Sequence, residues 1–288
     1  MTEVAERKTL NILVYTRLDI NEHDPQIDEQ VWICDKIEPK QDAFFPYIAA
    51  CINIAVDILL LESTKEQMAK AAVMVDHKIK DEKDFVKFLD YLPEGRTWVK
   101  DSFLSRVQQN FTTVYIDGKI DTLGLTSRKK YRESDYGANA SIHVVKYLVD
   151  DIMEAVEKRD LDSLQRSMVS LILVLVHETG GHELVFARSR GTAGSPTSLI
   201  PSTMYEVVGP ESGRCVEKAI FGGMISIHYN KGSRVPNPEI RKEYEDATGA
   251  KKEEVIALTM QEIQGILGRG KLLTGSDGSD AGISNTMR

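Results

Sequence analysis

The 288-residue chain has only three cysteines, Cys34, Cys51 and Cys215, and no Cys-x-x-Cys pair. A disulfide framework and a thiolate zinc site are therefore not expected, because both need several cysteines at defined spacings. The first residues, "MTEVAERKTLN", also lack the apolar segment of a secretory signal. Together these absences predict a protein of a reducing compartment, the cytoplasm.

Clusters of positive charge are scarce as well, and the formal net charge is -8. Nucleic-acid binding depends on grouped Lys and Arg side chains, so no nucleic-acid partner is expected. The one short basic cluster, Ser127–Arg132, is interpreted as a solvated turn.

One apolar stretch, Ala43–Leu61, is long enough to cross a bilayer. It contains Pro46, Asn53 and Asp57, and a charged residue inside a membrane span is costly. We therefore interpret the stretch as a buried core helix, and no membrane partner is expected.

Apolar periodicity predicts a helical N-terminal part, 1–110, and a second part, 111–269, with strands and a long helix. Helical patterns of the first part cover 29–37, 44–62, 65–78, 83–92 and 98–109. In the second part, the sequence pattern predicts a hairpin over 111–125 that turns at Asp117-Gly118, and strands at 136–145 and 224–230. It predicts helices at 209–223 and 252–267. Residues 270–288 are rich in Gly, Ser and Asp and are predicted to be a disordered tail.

These elements predict an α+β fold: a mostly helical single domain with a small antiparallel sheet beside a buried active-site helix. That helix begins after Asp160, a suitable N-cap, and runs through "LDSLQRSMVSLILVLVHE". Its second half is apolar on nearly every face, which is typical of a helix in the middle of a domain.

The apolar run ends in "HETGGH", which places two histidines five residues apart. In a regular α-helix residues five apart lie about 140° apart around the axis, so both imidazoles could not reach one zinc ion at about 2.1 Å. A π-bulge would return them to one side of the helix. Thr179, Gly180 and Gly181 lie between them, and glycines suit a distorted turn and a close approach of another segment. A local widening at these three residues is therefore predicted.

The same stretch resembles the His-Glu-x-x-Gly-His signature of zinc peptidases of the dipeptidyl-peptidase III type, which are gluzincin-like in mechanism. The resemblance covers six residues and one helix. It implies that His177 and His182 bind zinc, that Glu178 is the general base, and that a glutamate of a downstream helix is the third ligand. Downstream, "ESGRCVEKAIFGG" is similar to a Glu-Ser-Gly-Arg-x-x-Glu and Phe-Gly-Gly stretch of fungal proteins that carry a His-Glu zinc motif.

For the third ligand we favour Glu217 and keep Glu211 as the alternative. Glu217 lies in the middle of its predicted helix, on one stripe with Ile220 and Phe221, and can point inward. Glu211 complements the positive N-terminal turn of that helix, which explains it without a metal. The competing explanation of Glu217 is a surface ion pair with Arg214, which would contribute little.

Weaker candidates could line the cleft or stabilise an oxyanion. "ASIHVV", 140–145, is predicted as an edge strand that pairs with an extended substrate and presents His143. The remaining candidates are His228, Tyr205, Arg214, Tyr229 and Arg188, and a surface or core role explains each of them at least as well.

The leading hypothesis is a zinc-dependent hydrolase that cleaves a peptide or amide bond. Two alternatives stay open. The zinc site could act on a small metabolite, as a hydrolase, lyase or isomerase, or the motif could belong to a non-catalytic scaffold. A purely structural explanation of the motif would leave His177 and Glu178 buried without a compensating partner, which is costly.

Overall fold

The computed structural model describes residues 10–17, 34–79, 82–118, 120, 122–128, 140–189, 212–229, 234–245 and 251–272. Its helices are α1 (Phe45–Leu59), α2 (Glu62–Asp76), α3 (Leu92–Trp98), α4 (Ser105–Gln109), α5 (Lys146–Lys158), α6 (Leu161–His177), α7 (Leu184–Arg188), α8 (Ser212–Phe221) and α9 (Met260–Leu272). A 3-10 helix covers Glu82–Tyr91, and two π-helical segments cover Val99–Leu104 and Glu178–Glu183. The predicted α+β class is confirmed.

The strands form two sheets. They are β1 (Val14–Arg17), β2 (Cys34–Lys36), β3 (Thr113–Asp117), β4 (Gly124–Arg128), β5 (Ala140–Val145), β6 (Met224–Tyr229), β7 (Pro236–Glu245) and β8 (Lys251–Ala257). The five-stranded sheet has the order β2-β1-β3-β5-β4, and the smaller sheet has the antiparallel order β6-β7-β8. Strands β1, β3 and β5 are parallel, while β2 and β4 are antiparallel to their neighbours.

The predicted hairpin of β3 with β4 is wrong, because β5 lies between them and pairs with both. Residues 142–145 of β5 are all buried, so this strand occupies the interior of the sheet, where both edges are paired. The five-stranded sheet is consequently mixed, and the predicted small antiparallel sheet beside the buried helix is β6-β7-β8, whose strand β7 packs against α6.

The long helix α6 forms the centre of the core, as predicted. Every residue of 169–176 is buried, and the helix packs against α1, α5, α9 and β7. The Asp160 side chain accepts a hydrogen bond from the Ser163 backbone N–H at 3.1 Å, which confirms the predicted N-cap.

Two helical patterns are wrong at their ends. Residues 34–36 pair with β1 as a strand, and 251–257 pair with β7 before α9 begins at Met260. Lys and Glu favour a helix locally in "KKEEVIA", but pairing with a ten-residue neighbouring strand overrides that preference. In the predicted tail, α9 continues to Leu272, and the rest lies outside the described residues.

Two segments meet the length and composition of a membrane span. The continuous helix Leu161–Arg188 does so, and 83% of its apolar 18-residue stretch is buried inside the protein. Helices α1 and α2 do so only when they are taken together, as a pair bent by 74°. Nine residues of α1 are buried in the core, which agrees with the interpretation of Ala43–Leu61 as a core helix.

Candidate metal site

A wide helical turn brings the two histidines of "HETGGH" together. Helix α6 continues through the π-helical segment Glu178–Glu183 into α7 without a break. The rings of His177 and His182 lie 5.1 Å apart between centroids, at an interplanar angle of 56°. The predicted widening of the helix is confirmed.

Packing from two other helices explains why a glycine occupies this turn. A Cβ atom on Gly180 would lie 2.7 Å from Leu59 Cδ2 and 3.1 Å from Val216 Cγ1. Since both distances are shorter than ordinary carbon contacts, only glycine lets α1 and α8 pack this closely on the π-helical segment.

Three side chains converge at the turn: His177, Glu178 and His182 each offer one ligand atom, and these atoms lie within 4.8 Å of one another. Two imidazoles bound to one tetrahedral zinc ion at about 2.1 Å would have ring centroids about 5.2 Å apart. The observed separation matches that value, so the spacing of the two rings suits a shared divalent metal. The donor set fits zinc and also other divalent metals that accept imidazole and carboxylate.

Glu217, on α8, contacts the first histidine directly. Its Oε1 lies 2.6 Å from His177 Nδ1, and its Oε2 accepts the Ile225 backbone N–H at 2.8 Å. The carboxylate is 3% exposed. An acid on Nδ1 holds the proton there and turns the Nε2 lone pair to the opposite side of the ring, the arrangement that commonly orients a metal-binding histidine.

The sequence explains Glu217 either as a metal ligand or as the partner of Arg214 in an ion pair. The ion pair with Arg214 exists but is long, with Nη1 and Oε2 3.9 Å apart, and the contact with His177 is much closer. Direct coordination by Glu217 stays a prediction, since Oε1 would have to leave Nδ1 to reach the metal. Its alternative, Glu211, lies outside the described residues.

Gly213 covers the face of the His177 ring. A Cβ atom there would lie 2.4 Å from Cε1, 2.4 Å from Nε2 and 2.5 Å from Cδ2. A point nearly equidistant from three ring atoms lies above the ring plane, so the glycine backbone packs on the face of the imidazole. Sequence analysis missed this role, although Gly213 belongs to the quoted "ESGRCVE" stretch.

Glu178 is held by the edge strand β4. Thr126 Oγ1 donates to Glu178 Oε2 at 2.7 Å, and both residues are buried. A Cβ atom on Gly124 would lie 3.0 Å from Glu178 Oε1, so this strand can approach the carboxylate only with a glycine there. Neither residue was predicted as part of the site, because no local pattern links β4 to α6.

Glu183, one residue after the second histidine, anchors the end of the π-helical segment. Its Oε1 accepts hydrogen bonds from Arg106 Nη2 at 2.7 Å and from the Thr112 hydroxyl. The side chain of Glu183 is 1% exposed, while that of Arg106 is 27% exposed. The ion pair with Arg106 ties the turn to α4, and the hydrogen bond from Thr112 ties it to the residue before β3.

The weaker candidates lie elsewhere. His143 is on the face of the sheet opposite to Thr126, between Asp117 (Nδ1 to Oδ2, 3.1 Å) and Ser141 (Nε2 to Oγ, 3.2 Å). Its strand β5 is interior, and the edge strand next to the π-helical segment is β4. His143 therefore faces away from Glu178.

Other candidates are also bonded away from the two histidines. His228 Nε2 lies 2.8 Å from Arg241 Nη2, Arg188 pairs with Asp76 at 2.8 Å, and Tyr229 donates to Asp151. Tyr205 lies outside the described residues.

Comparison with known proteins found no matching family model, no similar curated protein and no similar solved structure. The function proposed below therefore rests on the geometry of this site and not on a relative.

Proposed function

We propose that the chain is a zinc-dependent hydrolase that cleaves a peptide or amide bond. The observation that carries the proposal is the pair of imidazoles, 5.1 Å apart across a π-helical turn, with Glu178 beside them. His177 binds the metal through Nε2 while Glu217 holds Nδ1, and His182 is the second ligand. When bound, zinc polarises the substrate carbonyl and lowers the pKa of water toward about 7.

Glu178 acts as the general base. Its buried carboxylate accepts a proton from the attacking water, whose oxygen forms a bond to the carbonyl carbon. The same carboxyl group then gives the proton to the amine nitrogen as the C–N bond breaks. Thr126, which donates to Oε2, fixes the rotamer of Glu178 and leaves Oε1 as the oxygen that exchanges the proton.

The edge strand β4 gives an extended substrate a place to bind. Among the described residues β4 pairs only with β5, and a peptide can add to the other side of such a strand as a further strand. Because β4 also carries Thr126, a peptide paired with β4 would lie next to the carboxylate of Glu178.

Metal analysis with zinc alone is the first test. We expect about one zinc ion per chain, and loss of binding in His177→Ala and in His182→Ala. Glu178→Gln should keep the zinc and lose hydrolysis of a peptide library, while Glu157→Gln, on the exposed side of α5, should keep both. Chains that bind no zinc even when it is supplied would rule out the enzyme and support a scaffold.

Glu217→Gln separates the two roles of Glu217. Loss of a carboxylate that only orients a histidine lowers metal affinity by about 10- to 100-fold. A greater loss would show that Glu217 is itself a ligand, as the sequence predicts.

Burial of the proposed base favours a second substrate class, a small metabolite. Glu178 is only 4% exposed and the side chain of His177 only 14%, which suits a closed pocket better than an open groove. Zinc-dependent turnover of small amides without cleavage of any library peptide would favour this alternative.

A further inference from the structure

A cavity at the end of strand β6 has the composition of a binding site. It has a volume of about 370 Å³ and is lined by Tyr147, Asp150, Asp151, Tyr229 and Arg234. The residues come from α5, from the end of β6 and from the segment before β7. This volume lies at the lower end of the range for small-molecule sites, about 300–1,000 Å³.

The charges around the cavity do not cancel. Asp150 is paired with Lys146 at 2.6 Å, and Arg234 is paired with Glu154 at 3.1 Å. Asp151, which is 7% exposed, accepts a hydrogen bond from the neutral hydroxyl of Tyr229 at 3.0 Å.

Within the described part of the chain, Asp151 is thus the lining carboxylate without a bonded cation. A buried carboxylate in that position favours a ligand with a single positive charge.

Two aromatic rings complete the recognition of a cation. The rings of Tyr147 and Tyr229 lie 5.5 Å apart between centroids at 82°, an edge-to-face pair beside Asp151. The faces of tyrosine rings attract cations, and the same rings supply apolar area for the body of an organic ligand.

We propose that this cavity binds a small organic monocation, an ammonium whose N–H donates to Asp151 and whose carbon skeleton packs against Tyr147 and Tyr229. A primary or secondary amine satisfies this description, because a quaternary ammonium has no N–H to donate. Arg234, already paired with Glu154, lies at the rim, with 77% of its side chain exposed.

The titration of Asp151 agrees with this assignment. Burial raises its pKa from the ordinary value of 3.8 to about 6. The Tyr229 hydrogen bond and the charge of Arg234 lower this pKa by a smaller amount, while the charges of Glu154 and Asp150 raise it slightly. A bound ammonium would supply the counter-charge that would bring this pKa down again.

The cavity is distinct from the candidate metal site. Strand β6 connects the two, since Ile225 contacts Glu217 and Tyr229 contacts Asp151. Four residues of extended strand span about 13 Å. The inference does not rest on the proposed hydrolase, and its test needs neither metal nor turnover.

Calorimetric titration of the full chain with three probes of similar shape tests the proposal. The probes are benzylammonium, benzyltrimethylammonium and the neutral benzyl alcohol. We expect benzylammonium to bind at least tenfold more tightly than either of the others at pH 7.5, and its affinity to fall about tenfold per pH unit below pH 6 as Asp151 takes up a proton.

Variants locate the binding. Asp151→Asn keeps the shape of the side chain and should weaken benzylammonium at least tenfold, whereas Glu157→Gln, on the same helix but away from the cavity, should have no effect. Tyr147→Ala, at a half-exposed position, removes one ring and should weaken binding severalfold without unfolding the chain. Equal affinity for benzyl alcohol, full affinity in Asp151→Asn, or no binding of benzylammonium at millimolar concentration would each overturn the proposal.

Discussion

Replacing Gly213 by alanine should damage both the stability of the fold and the affinity of the metal site. The added Cβ atom would lie 2.4 Å from His177 Nε2 and above the ring. Carbon atoms pack at about 3.5–4.0 Å, so the imidazole has to move by about 1 Å.

That movement acts on a second contact. Because the push is perpendicular to the ring, it carries His177 Nδ1 out of line with Glu217 Oε1 and lengthens their contact only from 2.6 Å to about 2.8 Å, so the hydrogen bond is bent but kept. Overpacking costs about 1–3 kcal/mol, and bending this hydrogen bond adds less than the roughly 1.5–3 kcal/mol that a hydrogen bond to a charged group contributes. We therefore expect a loss of about 2 kcal/mol in the free energy of unfolding, mostly from overpacking.

Urea unfolding and zinc titration measure the two effects. Metal affinity should fall by about 10- to 100-fold, the size of effect expected when the orientation of a metal ligand is disturbed. Gly265→Ala, inside α9 with no atom within 4 Å of the added Cβ, is the matched control and should stabilise the chain by about 0.5–1 kcal/mol. Wild-type stability and zinc affinity in Gly213→Ala would refute the packing of this glycine on His177.

Three further changes test other contacts. Thr126→Val removes the hydroxyl bonded to the proposed base, and we expect hydrolysis to fall about 10- to 100-fold with zinc binding unchanged. Arg106→Ala leaves the buried carboxylate of Glu183 without its cation and should cost about 3 kcal/mol in urea unfolding, whereas Arg96→Ala, which breaks an exposed pair, should cost less than about 1 kcal/mol. Asp151→Asn should be more stable than the wild type at pH 7.5 and equal to it below pH 4. Since burial raises the folded-state pKa to about 6, wild-type stability falls as pH rises through this window, and urea midpoints at both pH values would show it.

Local patterns predicted the centre of the molecule well. The apolar run of α6, the cap at Asp160 and the widened turn all follow from short-range rules of helix geometry, and each lies within a single segment of sequence. The same rules failed where pairing with a distant strand decided the outcome. Residues 251–257 became β8, and β5 separated β3 from β4.

Around the candidate site, the sequence by itself determined which side chains share one face of the long helix, because spacing and two glycines fix the backbone there. Only the tertiary structure decided what touches them: Glu217 on His177 Nδ1, Gly213 on the ring, Thr126 on Glu178 and Arg106 on Glu183. These partners come from 36 to 77 positions away along the chain, and no period in the sequence relates segments that packing alone brings together.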